Sequence, residues 1–292
     1  MKIKQFLLVI VYLVLCFGGI CQSVTDTNTY HLEMKNGNIF FGKLINQDSS
    51  QILFKSFSLG EIKVDRSQIK EIYTVDVHDQ KHGQFWLRNP QSSRYFFSPN
   101  GFGLKKGEAY YQNVWVLVNS FVFGINKHFS VGAGVVPLFL FSGGSTPIWL
   151  TAKFSLPFEK ENFALGGGLL AGTVAGEDNL SFGITYGIGT IGNENNNISI
   201  GLGYGYAAGS WAKKPMINLN FMVRLGPRAY MISENYFIQI AESPITILSL
   251  GGRHIIKKAG LDYGLVFPIN EGIGSFIAIP WLGITIPFTI QK

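Results

Sequence analysis

Cysteine is nearly absent: the chain of 292 residues has two, Cys16 and Cys21, both at the very start. With that stretch removed, no disulfide framework and no thiolate chemistry remain. Charge is scarce as well, Asp, Glu, Lys and Arg making up 14% of the residues. The net charge of +6 is small and dispersed, which argues against nucleic acid as a partner. A membrane helix is missing too. The uncharged stretch from Phe129 to Ala152 is broken by Gly132, Gly134, Pro137, Gly143, Gly144 and Pro147, and its first residues alternate with period two, so it reads as a hairpin. No HExxH, CxxC, P-loop or Gly-x-Ser-x-Gly signature occurs. Gly166 to Ala171 matches GxGxxA only formally, because it sits in an alternating stretch with no helical pattern after it. His78 and His82 are four apart, but beyond Asp76 or Asp79 no third ligand is evident, so neither metal nor cofactor is expected.

What the chain has instead is glycine, 35 residues of it, and aromatics at 14%, arranged in alternation. From Leu180 to Ile188 every second residue is large (Leu180, Phe182, Ile184, Tyr186, Ile188), and the pattern resumes at Ile198, Ile200, Leu202, Tyr204 and Tyr206 after a polar turn at 192–197. Side chains of a strand alternate between faces, so each segment has one bulky face and one nearly bare one. Strands of about ten residues joined by polar turns are what a membrane-spanning β-barrel requires. The bulky face is expected toward lipid, leaving Gly183, Gly187, Gly189, Gly201, Gly203 and Gly205 inside. A soluble barrel would need a polar outer face, which these strands lack.

Strands are expected near 110–124, 128–140, 147–157, 162–174, 179–191, 198–208, 215–225, 228–239, 245–255, 258–268 and 276–289. That number is odd, whereas bacterial single-chain barrels have even counts. Ser93 to Phe97 is the candidate for a twelfth strand, with ten strands as the alternative. Loop parity places the connections at 126–127, 158–162, 192–197, 226–227 and 256–258 on one side, the periplasmic one if the last strand ends there.

The first residues read as a secretory leader over 1–23: Lys2 and Lys4, an apolar run from Phe6 to Ile20, then Cys21-Gln22-Ser23. Acylation at Cys21 would want a leucine three residues before it and a small residue just before it, and Gly18-Gly19-Ile20 supplies neither. Loss of Lys2 and Lys4 leaves 22 basic against 18 acidic residues, a net charge of +4.

Residues 28–74 are richer in charge and poorer in glycine than the rest. Strands are expected at 30–34, 39–45, 51–56, 61–64 and 69–73, with a type I′ hairpin signal at Asn36-Gly37. The pattern LEMKNGNIFFGKLI, ILFKS and GEIKVDRSQIKEI resembles the small Sm-like or SH3-like β-domains attached to bacterial envelope proteins. That resemblance implies a periplasmic module that binds a peptide, glycan or neighbouring protein, or acts as a spacer or plug. Residues 75–92 read as a polar linker and 93–292 as the barrel.

At the C-terminus, Gly283-Ile284-Thr285-Ile286-Pro287-Phe288 resembles the assembly signal of outer-membrane barrels, although Thr289 to Lys292 extend past the aromatic residue and Pro287 is unusual in a strand. Over most of its length the chain resembles uncharacterised β-barrels of Gram-negative envelopes. The resemblance implies an all-β fold in the outer membrane, with lipid and the barrel assembly machinery as partners.

Taking Ile217, Leu219, Phe221, Val223 and Leu225 as lipid-facing puts Asn218, Asn220 and Arg224 in the lumen. The same parity puts Lys153, Arg253 and Asp262 there, with Glu234 as a further candidate. A charge facing lipid at mid-bilayer costs about 2–4 kcal/mol, so inward placement is demanded. Two readings follow. Arg224 and Arg253 either pair with Asp262, Glu234 or Glu242 and seal the interior of a structural, scaffolding or narrow-pore barrel, or they form the cationic constriction of a porin-like channel for small anions. Small barrels are usually filled, which favours the first. A barrel-wall lipid hydrolase or acyltransferase would draw on His254, Ser233, Ser249 and Glu234. Ser249 and His254 have opposite parity, as do Ser233 and Glu234, so the expectation is a non-enzyme.

Overall fold

The computed structural model describes residues 28–81, 84–137, 145–158, 162–177, 180–240, 243–270 and 277–290. The expected leader, including both cysteines, lies outside them, as do His82 and Glu242. The chain forms two compact units, Met1–Tyr73 and Thr74–Lys292.

The first unit is a five-stranded sheet built from β1 (Thr29–Met34), β2 (Ile39–Gln47), β3 (Gln51–Ser56), β4 (Gly60–Asp65) and β5 (Ile69–Val75), in the order β4-β3-β2-β1-β5. A single 3-10 turn, Arg66–Gln68, precedes β5. Alternation puts Leu32, Met34, Ile52, Phe54 and Val64 on one buried face. The first hairpin turns at Asn36-Gly37, where Gly37 has φ +89° and the Asn36 side chain accepts from the Asn38 N–H at 3.0 Å.

At the β2–β3 turn the Asp48 carboxylate accepts from the Ser50 N–H (2.7 Å), the Gln51 N–H (2.7 Å) and the Ser50 hydroxyl (2.9 Å). These bonds, led by the one from Gln51, hold its pKa below the ordinary 3.8. A depressed folded pKa contributes stability that is full above the unfolded value and fades as pH falls through the folded one. Hydrogen exchange on the full chain should therefore show the Ser50 and Gln51 amides losing protection below about pH 4. In Asp48→Asn the same amides should lack that acid-dependent step. An identical acid profile in both proteins would contradict the assignment.

The second unit begins with a hairpin, β6 (Val77–Lys81) and β7 (Gln84–Leu87), where a polar linker was expected. Twelve further strands close into a barrel: β8 (Glu108–Val114), β9 (Val118–Gly124), β10 (Phe129–Val135), β11 (Thr146–Phe158), β12 (Phe163–Ala175), β13 (Ser181–Gly192), β14 (Asn197–Ala207), β16 (Met216–Arg224), β17 (Ala229–Ile240), β18 (Ser243–Ile256), β19 (Ala259–Ile269) and β20 (Ile279–Thr289). The two-residue β15 (Ser210–Trp211) only extends the β14 edge. Every neighbouring pair is antiparallel, and β20 pairs with β8 from Gly283↔Val114 to Thr289↔Glu108, which closes the ring. Closure leaves no strand edge, as a spanning structure in lipid requires.

The count of twelve matches the expectation, but its membership differs. The stretch 110–124 is two strands, turning at Trp115-Val116-Leu117. This turn lacks the usual glycine or asparagine, and Trp115 (φ 53°) and Val116 (φ 63°) occupy the left-handed region that β-branched residues avoid. Trp115 holds it in place: its N–H donates to the Leu282 carbonyl at 2.9 Å, its indole Nε1 donates to the Pro280 carbonyl at 2.7 Å, and its ring lies 4.9 Å from that of Trp281. Ser93 to Phe97 is not a barrel strand. It has only an isolated bridge, Arg94↔Pro99, and lies inside the barrel.

Outward positions carry the exposed apolar residues, including Leu150, Phe154, Ile198, Ile200, Leu202, Leu219, Leu265, Leu282 and Ile284. Lys153, Glu234, Arg253 and Asp262 are buried, on the other side of the wall. An apolar exterior around buried charge is the inverse of a soluble barrel and defines a transmembrane barrel of outer-membrane type.

The β13–β14 hairpin departs from expectation in one respect. Gly192 pairs with Asn197, so partner numbers sum to an odd value and even residues of one strand share a face with odd residues of the other. The two bulky sets are both even-numbered and must lie on opposite faces. On β14, Ile198 to Tyr204 face out; on β13, Ile188 (5% exposed) and Thr190 (0%) face in. Tyr186 therefore pairs with Gly203 and Ile188 with Gly201 on the inner wall, while Gly187 pairs with Leu202 on the outer. The inner wall is not bare here: Ile184 lies over Gly203 and the Asn218 side chain over Gly201.

Candidate functional site in the barrel lumen

Between β7 and β8 the chain threads the lumen. Residues 89–104 are almost all buried, although the segment carries seven Asn, Gln, Ser or Arg side chains. Burial on this scale requires that its polar groups find partners, and the inward faces of the strands supply them. Arg88 begins the segment with ion pairs to Glu108 (2.8 Å) and Asp76 (3.6 Å). Its tip is a turn closed by the Tyr95 N–H donating to the Ser98 carbonyl at 2.9 Å, and the Asn100 N–H donates back to the Ser93 carbonyl at 3.1 Å. The return passes so close to β12 that a Cβ on Gly101 would lie 2.6 Å from the Ala164 carbonyl oxygen, which is why the position is glycine.

Three charged side chains anchor this plug. Arg253 on β18 is fully buried and makes a two-pronged ion pair with Asp262 on β19 (2.6 and 2.9 Å), to which the register joins it directly. Its remaining donors reach the Gln91 carbonyl (2.7 Å), the Gln91 side chain (2.9 Å), Asn89 Oδ1 (3.1 Å) and the Tyr95 carbonyl (2.7 Å). The planar guanidinium suits this task because its donors are fixed in a fork. Glu234 on β17 accepts three successive plug N–H groups, those of Phe96, Phe97 and Ser98, each at 2.9 Å on Oε2, and the Tyr236 hydroxyl at 2.6 Å on Oε1. Lys153 on β11 donates to the Ser93 (3.1 Å) and Phe102 (2.5 Å) carbonyls. Neutral groups complete the set: the Tyr95 hydroxyl donates to Asn197 at 2.6 Å, the Gly101 N–H donates to Thr190 Oγ1 at 2.7 Å, and Asn218 and Asn220 donate to Ser98 Oγ at 2.7 and 3.2 Å.

Of the sequence-derived lumen residues, Lys153, Asn218, Asn220, Arg253 and Asp262 thus converge on one segment. Arg224 sits apart, near the 225–228 turn. It donates to the carbonyls of Leu87 (2.6 Å), Gly226 (3.1 Å) and Pro227 (2.7 Å) and to Asn195 Oδ1 (2.9 Å), and it lies over the Trp86 and Tyr230 rings at 4.8 and 5.0 Å. It clamps the chain where it reaches the barrel. Tyr110 is buried inside with Leu104 and Val122.

On the other side of the plug lies a cavity of about 130 Å³, lined by plug residues Arg94, Phe97 and Ser98 and by wall residues that include Tyr110, Trp149, Lys153, Tyr186, Asn218 and Tyr236.

No protein-family model and no curated protein matches this sequence. Among solved structures, the chain is similar to the KdgM porin at 9% identity and a TM-score of 0.43, covering 62% of this chain and 99% of that one. It is also similar to OmpT of Vibrio cholerae (11% identity, TM-score 0.35, 92% and 100% covered) and to a mutant Rh. blastica porin (9%, 0.34, 89% and 99%). Likeness at this level adds nothing to what the closed barrel shows by itself.

The hydrolase grouping does not assemble. His254 is exposed on the wall, whereas Ser249 is buried, its hydroxyl donating to the Glu234 carbonyl at 2.6 Å. Ser233 donates to the Ser249 carbonyl at 2.7 Å, and the Glu234 carboxylate is occupied by the plug. Among the described residues no cluster of three metal-ligating side chains occurs. The plug itself, residues 89–104, was not legible as such. Its clustered Asn, Ser, Pro and Gly residues, interrupting the alternation without adding charge, were the signal available.

Proposed function

We propose that this is a plugged, non-conducting outer-membrane barrel with a structural or scaffolding role, and not an enzyme. The observation that carries the reading is the engagement of Arg253, Glu234 and Lys153 with the backbone of residues 89–104. Cations so engaged are unavailable as a selectivity ring, which weighs against the anion channel. The five connections at the end where Arg224 sits are all four residues or shorter, while three at the opposite end run to eight or more. Short turns belong to the periplasmic side, which supports entry of the chain from the periplasm and a periplasmic first unit. Its strand order, with β5 beside β1 and a 3-10 turn before β5, supports the SH3-like reading and a periplasmic partner for residues 28–74.

Planar-bilayer recording tests the reading. Protein whose heat-modifiable migration shows a folded barrel should be electrically silent, and replacing residues 90–103 by a glycine-serine chain of equal length should produce discrete conductance steps. Steps from the unaltered protein that shift when Arg224 or Arg253 is neutralised would favour the channel instead.

A further inference from the structure

The cavity beyond the plug has a composition that the plug does not explain. Its lining includes two cations, Arg94 and Lys153, and no carboxylate. Lys153 is turned to two plug carbonyls. Arg94 is not comparably engaged: among the described residues its one hydrogen bond is a long contact of 3.5 Å to Gln112 Oε1, although a guanidinium carries five N–H donors. It is held from the sides, 5.8 Å from the Phe97 ring centre and 5.9 Å from that of Tyr110, an arrangement that orients the fork without saturating it. Phe97, though inside the barrel, is 40% exposed, so the tip of the plug borders open space.

We propose that this cavity binds a small monocarboxylate with a ring-sized apolar body, its carboxylate on Arg94. The fork matches two carboxylate oxygens, and a partly desolvated pair of this kind is stronger than a neutral hydrogen bond. Phe97, Tyr110, Trp149, Tyr186 and Tyr236 supply an aromatic surround for the body. The volume agrees, since an apolar cavity of about 150 Å³ accepts benzene. A single under-engaged guanidinium suits one negative charge rather than a polyanion.

Isothermal titration calorimetry on the full-length folded protein in micelles, with benzoate as ligand and benzamide as its uncharged match, tests this. The expected result is one benzoate per barrel, with benzamide at least tenfold weaker, and with Arg94→Gln weakening benzoate at least tenfold while heat-modifiable migration stays unchanged. Should Arg94→Gln fail to fold, the benzoate and benzamide comparison on the native protein decides alone. Equal affinity for the two ligands, unchanged benzoate binding in a folded Arg94→Gln, or no benzoate binding to the native protein would overturn the proposal.

Discussion

Arg253→Met is expected to destabilise the barrel by about 3–5 kcal/mol, the range found when one partner of a buried ion pair is removed. Two losses combine. Asp262, 1% exposed, is left without its counter-ion, and the carbonyls of Gln91 and Tyr95 lose their donor. The uncompensated carboxylate is the larger of the two, and a second substitution separates them. Arg253→Met combined with Asp262→Leu removes the stranded charge, so the double variant should regain most of the stability while leaving the plug carbonyls unserved. Urea unfolding in lipid vesicles, followed by tryptophan emission, reads the difference. A single variant within about 1 kcal/mol of wild type would mean that the ion pair is not desolvated as its burial indicates.

The strands were legible because alternation is imposed by the bilayer: an outward face in lipid and an inward face in protein repeat with period two along every segment. From β11 to β19 the expected and observed bounds agree to within two residues. The same logic located Lys153, Arg253 and Asp262 inside, since a charge has nowhere else to go. What alternation cannot supply is the phase of one strand against the next. That depends on the register set by each turn, and for β13 the four residues between Gly192 and Asn197 reverse it. Alternation also cannot mark a turn that tertiary contacts impose on unfavourable residues, as Trp281 and the Pro280 carbonyl do at Trp115. The plug was missed for a related reason. Its backbone partners include side chains from strands more than 100 residues away, such as Glu234 and Arg253, and no local pattern encodes them. An even strand count pointed to Ser93 to Phe97, a stretch that ends in aromatics. Those aromatics pack instead on inward wall groups, Phe96 against Trp281 at 5.5 Å.

Glu234→Leu is the complementary experiment, because it removes the acceptor rather than the donor. Oε2 gathers the N–H groups of three consecutive residues, Phe96 to Ser98, all at 2.9 Å, so the tip of the plug is wound around one oxygen. Leucine is of similar size and fills the space, which isolates the hydrogen-bonding loss from a cavity effect. The amides of Phe96 and Ser98, both buried, that of Phe97, and the Tyr236 hydroxyl would then lack this partner. Each unsatisfied buried donor costs about 1–3 kcal/mol, which sets a loss of at least about 3 kcal/mol if the plug stays in place. A tip bearing that penalty should leave its position, so hydrogen exchange at Phe96, Phe97 and Ser98 should accelerate far more than in the strands. Glu234→Gln retains one acceptor oxygen without the charge and should fall between the two. Because Arg253 holds the plug at Gln91 and Tyr95 independently, the base of the segment should keep its protection in Glu234→Leu. Uniform loss of protection along residues 89–104 would instead mean that the plug responds as one cooperative unit, and unchanged protection at the tip would show that this carboxylate is not what holds it.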